Sequence, residues 1–96
     1  MLRMLIVAAY DVGNNRERRH LEQHLAGVGE RAQCSVFEAW LSERERSRLL
    51  QTVTSDITLN PVTDSIRWYG VCSHCQHQIR FAGRGMKADD PRFYIV

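Results

Sequence analysis

The feature that most limits the fold of this chain is a seven-residue apolar run, Met4-Leu5-Ile6-Val7-Ala8-Ala9-Tyr10, closed by Asp11. A membrane helix takes about twenty apolar residues, so the run is too short for one. Its length and partly β-branched content predict a central strand buried on both faces. Arg3 ahead of it gives a faint likeness to a secretory leader. The run is too short for that as well, and Asp11 stands where a cleavage region would be. The expectation is a cytoplasmic protein without membrane association.

What surrounds such a strand must fit in 96 residues, which is one domain, read here as spanning 1–96. The chain is 44% hydrophobic and 25% charged, which excludes disorder, and no heptad persists to make a coiled coil. Three cysteines, Cys34, Cys72 and Cys75, are an odd number, which suggests reduced thiols rather than a disulfide framework.

Gly13-Asn14-Asn15 is a turn that offers an N-cap. Arg16 to Gly27 then reads as a helix, with Leu21, Leu25 and Val28 at i, i+4, i+7 and Gly27 or Gly29 ending it. Arg31 to Leu41 carries Val36, Phe37 and Trp40 among polar residues and reads as strand. Its length suggests two strands bent near Ser35, although no Gly, Pro or Asn marks the bend. Ser42-Glu43-Arg44-Glu45 fits a capping box, and Leu49, Leu50, Val53 and Ile57 continue a helical stripe. Asn60-Pro61 is a turn, Ser65 to Val71 a strand, Cys72 to Cys75 a loop, and Arg92 to Val96 a short terminal strand. Counting the bent segment as two strands gives βαββαβ, the ferredoxin-like α+β arrangement, with an extra short C-terminal strand. That fold hosts many functions and does not settle this one.

Net charge is only +2, so bulk electrostatics does not announce a nucleic-acid binder. Twelve of the thirteen basic residues are Arg, whose planar fork suits phosphate; a high-GC coding bias explains the same count. Arg16, Arg18 and Arg19 fall in the first turn of the first helix, where the partial positive charge of the helix end prefers acids. A bound phosphate backbone would resolve that conflict. A solvated face neutralised by Glu17 and Glu22 would resolve it equally.

Asp11 follows a buried strand, a common place to hold a cation. It also suits a turn, accepting from the Gly13 or Asn14 N–H. Mg²⁺ manages with one or two carboxylates when water and substrate phosphates complete its shell, and a symmetric dimer would supply a second Asp11. Cys72-Ser73-His74-Cys75-Gln76-His77 holds four soft-metal ligands, but a structural zinc site needs a second, well-separated pair. No helix pattern follows the Cys pair to activate a thiol. His20 and His24 stand four apart on the first helix, with no third ligand evident. Trp40, Trp68, Tyr69 and Phe93 alternate within strands and read as packing residues.

Together these segments resemble the CRISPR-associated protein two family. The resemblance rests on Tyr10-Asp11 closing the first strand, the Arg-rich helix, Gln33-Cys34-Ser35-Val36-Phe37-Glu38, and Asp64-Ser65-Ile66-Arg67-Trp68-Tyr69. Cys72-Ser73-His74-Cys75 and Phe93-Tyr94-Ile95-Val96 follow in the family's order. It implies a ferredoxin-like homodimer whose last strand extends the partner's sheet, with Asp11 as the metal ligand and catalytic residue near the two-fold axis. Members are described as Mg²⁺-dependent endonucleases on single-stranded RNA or double-stranded DNA. Others are non-catalytic scaffolds that bridge dimers of the CRISPR integrase during spacer acquisition. Val12-Gly13 stands where some members have Val-Ser or Ile-Ser. On this reading Arg16, Arg18 and Arg19 position the nucleic-acid backbone, and Glu38 is a candidate second carboxylate. A third class, a small-molecule regulator of the same fold, would need a polar or Gly-rich pocket that the sequence does not suggest.

Overall fold

The computed structural model describes residues 2–80 and 82. Its elements are β1 (Arg3–Asp11), α1 (Asn15–Ala26), β2 (Glu30–Gln33), β3 (Val36–Ser42), α2 (Glu43–Asp56), β4 (Ser65–Val71) and a one-turn helix α3 (Ser73–Gln76). The expected terminal strand over 92–96 lies outside the described residues. The strand order is β2-β3-β1-β4, and each neighbouring pair is antiparallel. This is the ferredoxin-like α+β fold.

The apolar run takes the central position because it offers ladder partners on both edges. Ala9 to Arg3 pair with Val36 to Ser42 on one side, and Leu5 to Asp11 with Val71 to Ser65 on the other. Period-two geometry then divides the run between two faces. Ile6, Ala8 and Tyr10 join Phe37, Ala39 and Leu41 in a core closed by Leu21 and Leu25 of α1 and Leu49, Val53 and Ile57 at α2. Leu5, Val7 and Ala9 point the other way; Leu5 is buried, whereas Val7 and Ala9 are half-buried. The expected burial on both faces therefore holds only in part along the run. The two long helices share one face of the sheet, and among the described residues the second face is only partly covered.

Local chemistry explains the element ends. Asn14 Oδ1 accepts from Glu17 N at 2.9 Å and caps α1. Ser42 ends β3 and caps α2 at once: its Oγ accepts from Glu45 N at 3.2 Å, and Glu45 Oε1 accepts from Ser42 N at 2.8 Å. This is the anticipated capping box, worth about 1 kcal/mol. The bend expected near Ser35 is a two-residue connection, Cys34-Ser35, between Gln33 and Val36. Two expectations fail. Val28 is outside α1 and exposed, because the helix stops at Ala26 and the chain turns to bring Gly29 against β3. Cys72 to Cys75 is a helical turn capped by Cys72 rather than a loop.

Gly29 is required by packing. A Cβ there would stand 2.3 Å from Glu38 O and 2.7 Å from Ala39 Cβ, and a strand backbone in mid-sheet cannot retreat. Gly29→Ala is expected to destabilise the fold by about 2 kcal/mol through overpacking, read as a lower urea midpoint. An unchanged midpoint would mean that α1 and β3 are less tightly apposed than this.

Candidate nucleic-acid and metal site

The ladder between β1 and β3 stops at Ala9, whereas that between β1 and β4 runs on to Asp11 opposite Ser65. Asp11 thus projects beyond the β2–β3 hairpin, exposed, on the same sheet face as Val7 and Ala9. Val12 returns to the core, and Gly13 and Asn14 lead into α1. The turn role open to Asp11 goes to another residue. Asp64 Oδ1 accepts from Gly13 N at 3.1 Å and Oδ2 from Asn60 N at 2.9 Å. The Asn60 and Gly13 amides, with the Thr63 hydroxyl, hold the Asp64 carboxyl below its ordinary range. The Asp11 side chain makes no hydrogen bond or ion pair among the described residues, so its carboxylate is available as a hard oxygen donor. Asp64 was not singled out as a clamp. The available signal was a turn opened by Asn-Pro with an Asp four residues after the Asn.

The three arginines divide. Arg18 is half-buried, donating Nη1 to Val12 O at 3.1 Å and Nη2 to Asn15 Oδ1, and so braces the strand-to-helix junction. Arg16 and Arg19 are exposed and three residues apart, on one side of α1. Glu17 offsets part of the first-turn positive charge, and its Oε1 accepts from Thr58 N at 2.6 Å.

A bracket beneath the strand end stiffens this region. The Tyr10 hydroxyl donates to Glu22 Oε2 at 2.6 Å. It also lies 3.2 Å from Cys34 O, which accepts from Arg31 Nη1 at 2.6 Å. Arg31 pairs with Glu22 at 3.4 Å and stacks 5.0 Å over the Phe37 ring. Burial, then the Glu22 carboxylate, pushes Tyr10 up to about 12, and the Tyr10 hydroxyl holds Glu22 below its ordinary value. β1, α1 and the hairpin are thereby joined next to Asp11.

Glu38 is half-buried, and desolvation raises its pKa. It lies opposite Val7, on the Asp11 face but four residues down β1, a separation of about 13 Å along the strand. Within one chain the two carboxylates do not converge on one ion. The three cysteines are exposed. Cys72 Sγ accepts from Cys75 N at 3.3 Å; the hydrogen bond between the two thiols lowers the Cys72 pKa and raises that of Cys75. The one-turn helix spans this pair, with Cys72 at its N-cap and Cys75 within it. His20 and His24 also gain a third neighbour, Asp56 at the end of α2.

The class defined here is a ferredoxin-like domain with a solvent-facing carboxylate at the mouth of its central strand and arginines on the adjoining helix. The family model for CRISPR associated protein Cas2 matches residues 4–79, and the chain belongs to that family. It is 34% identical over 95 residues to the CRISPR-associated endoribonuclease Cas2 3 of Chloroflexus aurantiacus, covering 99% of this chain and 100% of that one. The corresponding protein of Synechocystis is 32% identical over 92 residues, covering 96% and 98%. Among solved structures, the hypothetical protein TT1823 of Thermus thermophilus superposes with TM-score 0.74 at 31% identity, covering 91% of this chain and 99% of that one. Streptococcus pyogenes Cas2 gives 0.68 at 28% identity, covering 83% and 100%. Among the described residues no helix is long and apolar enough to cross a membrane.

Tyr10→Phe is expected to cost about 1–2 kcal/mol at neutral pH, because Glu22 loses its buried donor. A pKa raised on folding stabilises fully below the unfolded value, here 10.0, and the contribution is lost as pH rises through about 12. The stability gap between wild type and Tyr10→Phe should therefore narrow across that window in urea titrations. A gap independent of pH would remove the phenol from the bracket.

Proposed function

We propose that this chain is a Mg²⁺-dependent endonuclease, cutting RNA or double-stranded DNA, that works as a homodimer with the CRISPR integrase in spacer acquisition. The observation that carries the reading is Asp11, a carboxylate that no side chain or amide among the described residues has claimed, on the half-covered face of the sheet. The names of the relatives as endoribonucleases support the activity.

The argument for the dimer is the same face. Val7, Ala9, Val36 and Trp40 are half-buried on it, and Tyr69, opposite Val7, is 50% exposed. Packing two such faces together removes apolar surface from water. It would also set two copies of Asp11 across the two-fold axis, giving the second carboxylate that Glu38 does not supply. Mg²⁺ bound there would polarise a phosphate and lower the pKa of the attacking water. Asp11 would hold the ion, Arg16 and Arg19 would grip the backbone on either side of the scissile phosphate, and Arg18 would fix the angle of α1.

The second reading is a scaffold that holds nucleic acid without cutting it. One carboxylate per chain favours it, since catalysis then depends wholly on dimer geometry. Asp11→Asn separates the two readings. It should abolish divalent-dependent cleavage of labelled RNA and DNA by several orders of magnitude, change stability by less than about 1 kcal/mol and leave nucleic-acid binding intact. Cleavage at the wild-type rate would place the active site elsewhere. A wild type that never cuts but joins the integrase would establish the scaffold.

The arginines have their own test. Arg–phosphate contacts release counterions, so log K falls with log salt by roughly 0.9 per neutralised phosphate of duplex DNA. The Arg16→Ala/Arg19→Ala pair should flatten that slope. An unchanged slope would leave these residues as solvated charge.

A further inference from the structure

A second metal site emerges between α1 and the end of α2. His20 and His24 stand one turn apart, with ring centroids 5.1 Å apart. Asp56, the last residue of α2, meets them across the helix pair. One ligand atom from each of the three lies within 4.8 Å of the others, and among the described residues no other group of three His, Cys, Asp or Glu does this. The geometry points to a binding site for a divalent transition metal of zinc's class, held by His20, His24 and Asp56.

Three observations carry it. The first is the donor set. Two imidazoles and one carboxylate form a borderline-soft site that suits Zn²⁺ and its neighbours and is wrong for Mg²⁺, which asks for oxygens. Ligand atoms around tetrahedral zinc stand about 3.3 Å apart, given bonds of about 2.0–2.1 Å. His24 Nε2 is already 3.0 Å from Asp56 Oδ2, and rotation of the exposed His20 ring closes the rest.

The second is an unresolved polar atom. His24 Nε2 is shut off from solvent and, despite its short distance to Asp56, makes no hydrogen bond of acceptable geometry among the described residues. A nitrogen close to a carboxylate but not aligned with it suits two ligands converging on a third atom better than a donor–acceptor pair.

The third is the position of Asp56. A helix C-terminus carries partial negative charge and prefers cations, yet α2 ends on a carboxylate and has no basic residue in its last turn. A bound cation would relieve that. The frame is also braced. Glu17, on the same side of α1 as His20 and His24, accepts from Thr58 N two residues beyond Asp56 and pins the end of α2 to α1. The fourth coordination position would face solvent and take water or a donor from another molecule.

The test is Zn²⁺ titration of the full chain by calorimetry, with excess Mg²⁺ present to occupy oxygen sites. Wild type should bind one Zn²⁺ at this site. Loss of a second-shell partner alone costs about 10–100-fold in metal affinity, so His20→Gln and His24→Gln should each cost at least about a hundredfold. The Cys72→Ser/Cys75→Ser variant should bind as wild type does. The Co²⁺ adduct should show ligand-field bands without thiolate charge transfer. Both His variants should keep the wild-type circular dichroism, since His20 is exposed and the half-buried His24 lies outside the apolar core. No Zn²⁺ binding by wild type would overturn the proposal and leave His24–Asp56 as an ion pair. Wild-type affinity in either His variant, or loss of binding with the Cys pair, would overturn it equally.

Discussion

Everything in this molecule hangs on β1 being hydrogen-bonded along both edges. A strand with two ladders has no free backbone groups, so an apolar sequence can lie there without penalty. The same pairing decides which residues become functional. Because the two ladders end at different rungs, the last residue of β1 keeps a partner on the β4 side and none on the β3 side. Asp11 occupies that position. A strand ending level with both neighbours would present a flush edge instead of a projecting carboxylate.

Charge is handled by the same economy. Asp64 ties the β1–α1 junction to the 60–64 turn, Arg18 ties the first turn of α1 to Val12, and Glu17 ties that turn to the exit of α2. Three ionic side chains near the strand end are spent on holding backbone. Asp11, Arg16 and Arg19 remain exposed, and in the proposed function these are the groups that meet the polyanion and its cation.

Much of this was legible from residue order. The apolar run, Asn14, and the Ser42–Glu45 box each carry their structural meaning within a few residues, so β1 and the starts of both long helices could be read directly. The hairpin at Cys34-Ser35 was legible only from length, since no turn residue marks it. What escaped depends on contacts between distant segments. Val28 follows the helical period but falls after the helix because Gly29 must pack on β3, a demand set by the sheet. His20 and His24 were visible as a pair, while Asp56, 32 residues past His24, is brought to them only by the fold. Asp64 looked like the start of a strand, and its task is defined by Gly13, 51 residues away. The Asp11 site was legible as a position, but its freedom from the turn could not be read without knowing that Asp64 takes the Gly13 amide.

The capping box at Ser42 has a mechanical consequence. Ser42 belongs to β3 and caps α2, so strand and helix meet with no connecting residue. The other end of α2 reaches β4 through residues 57–64. The joint at Ser42 therefore works as a weld, and Thr58 with Glu17 and Asp64 with Gly13 rivet the 57–64 segment back to the start of α1. Any change in sheet curvature, such as a second sheet pressing on its other face, enters α2 at its first turn and passes on to α1 through those rivets. The two helices then shift as one plate.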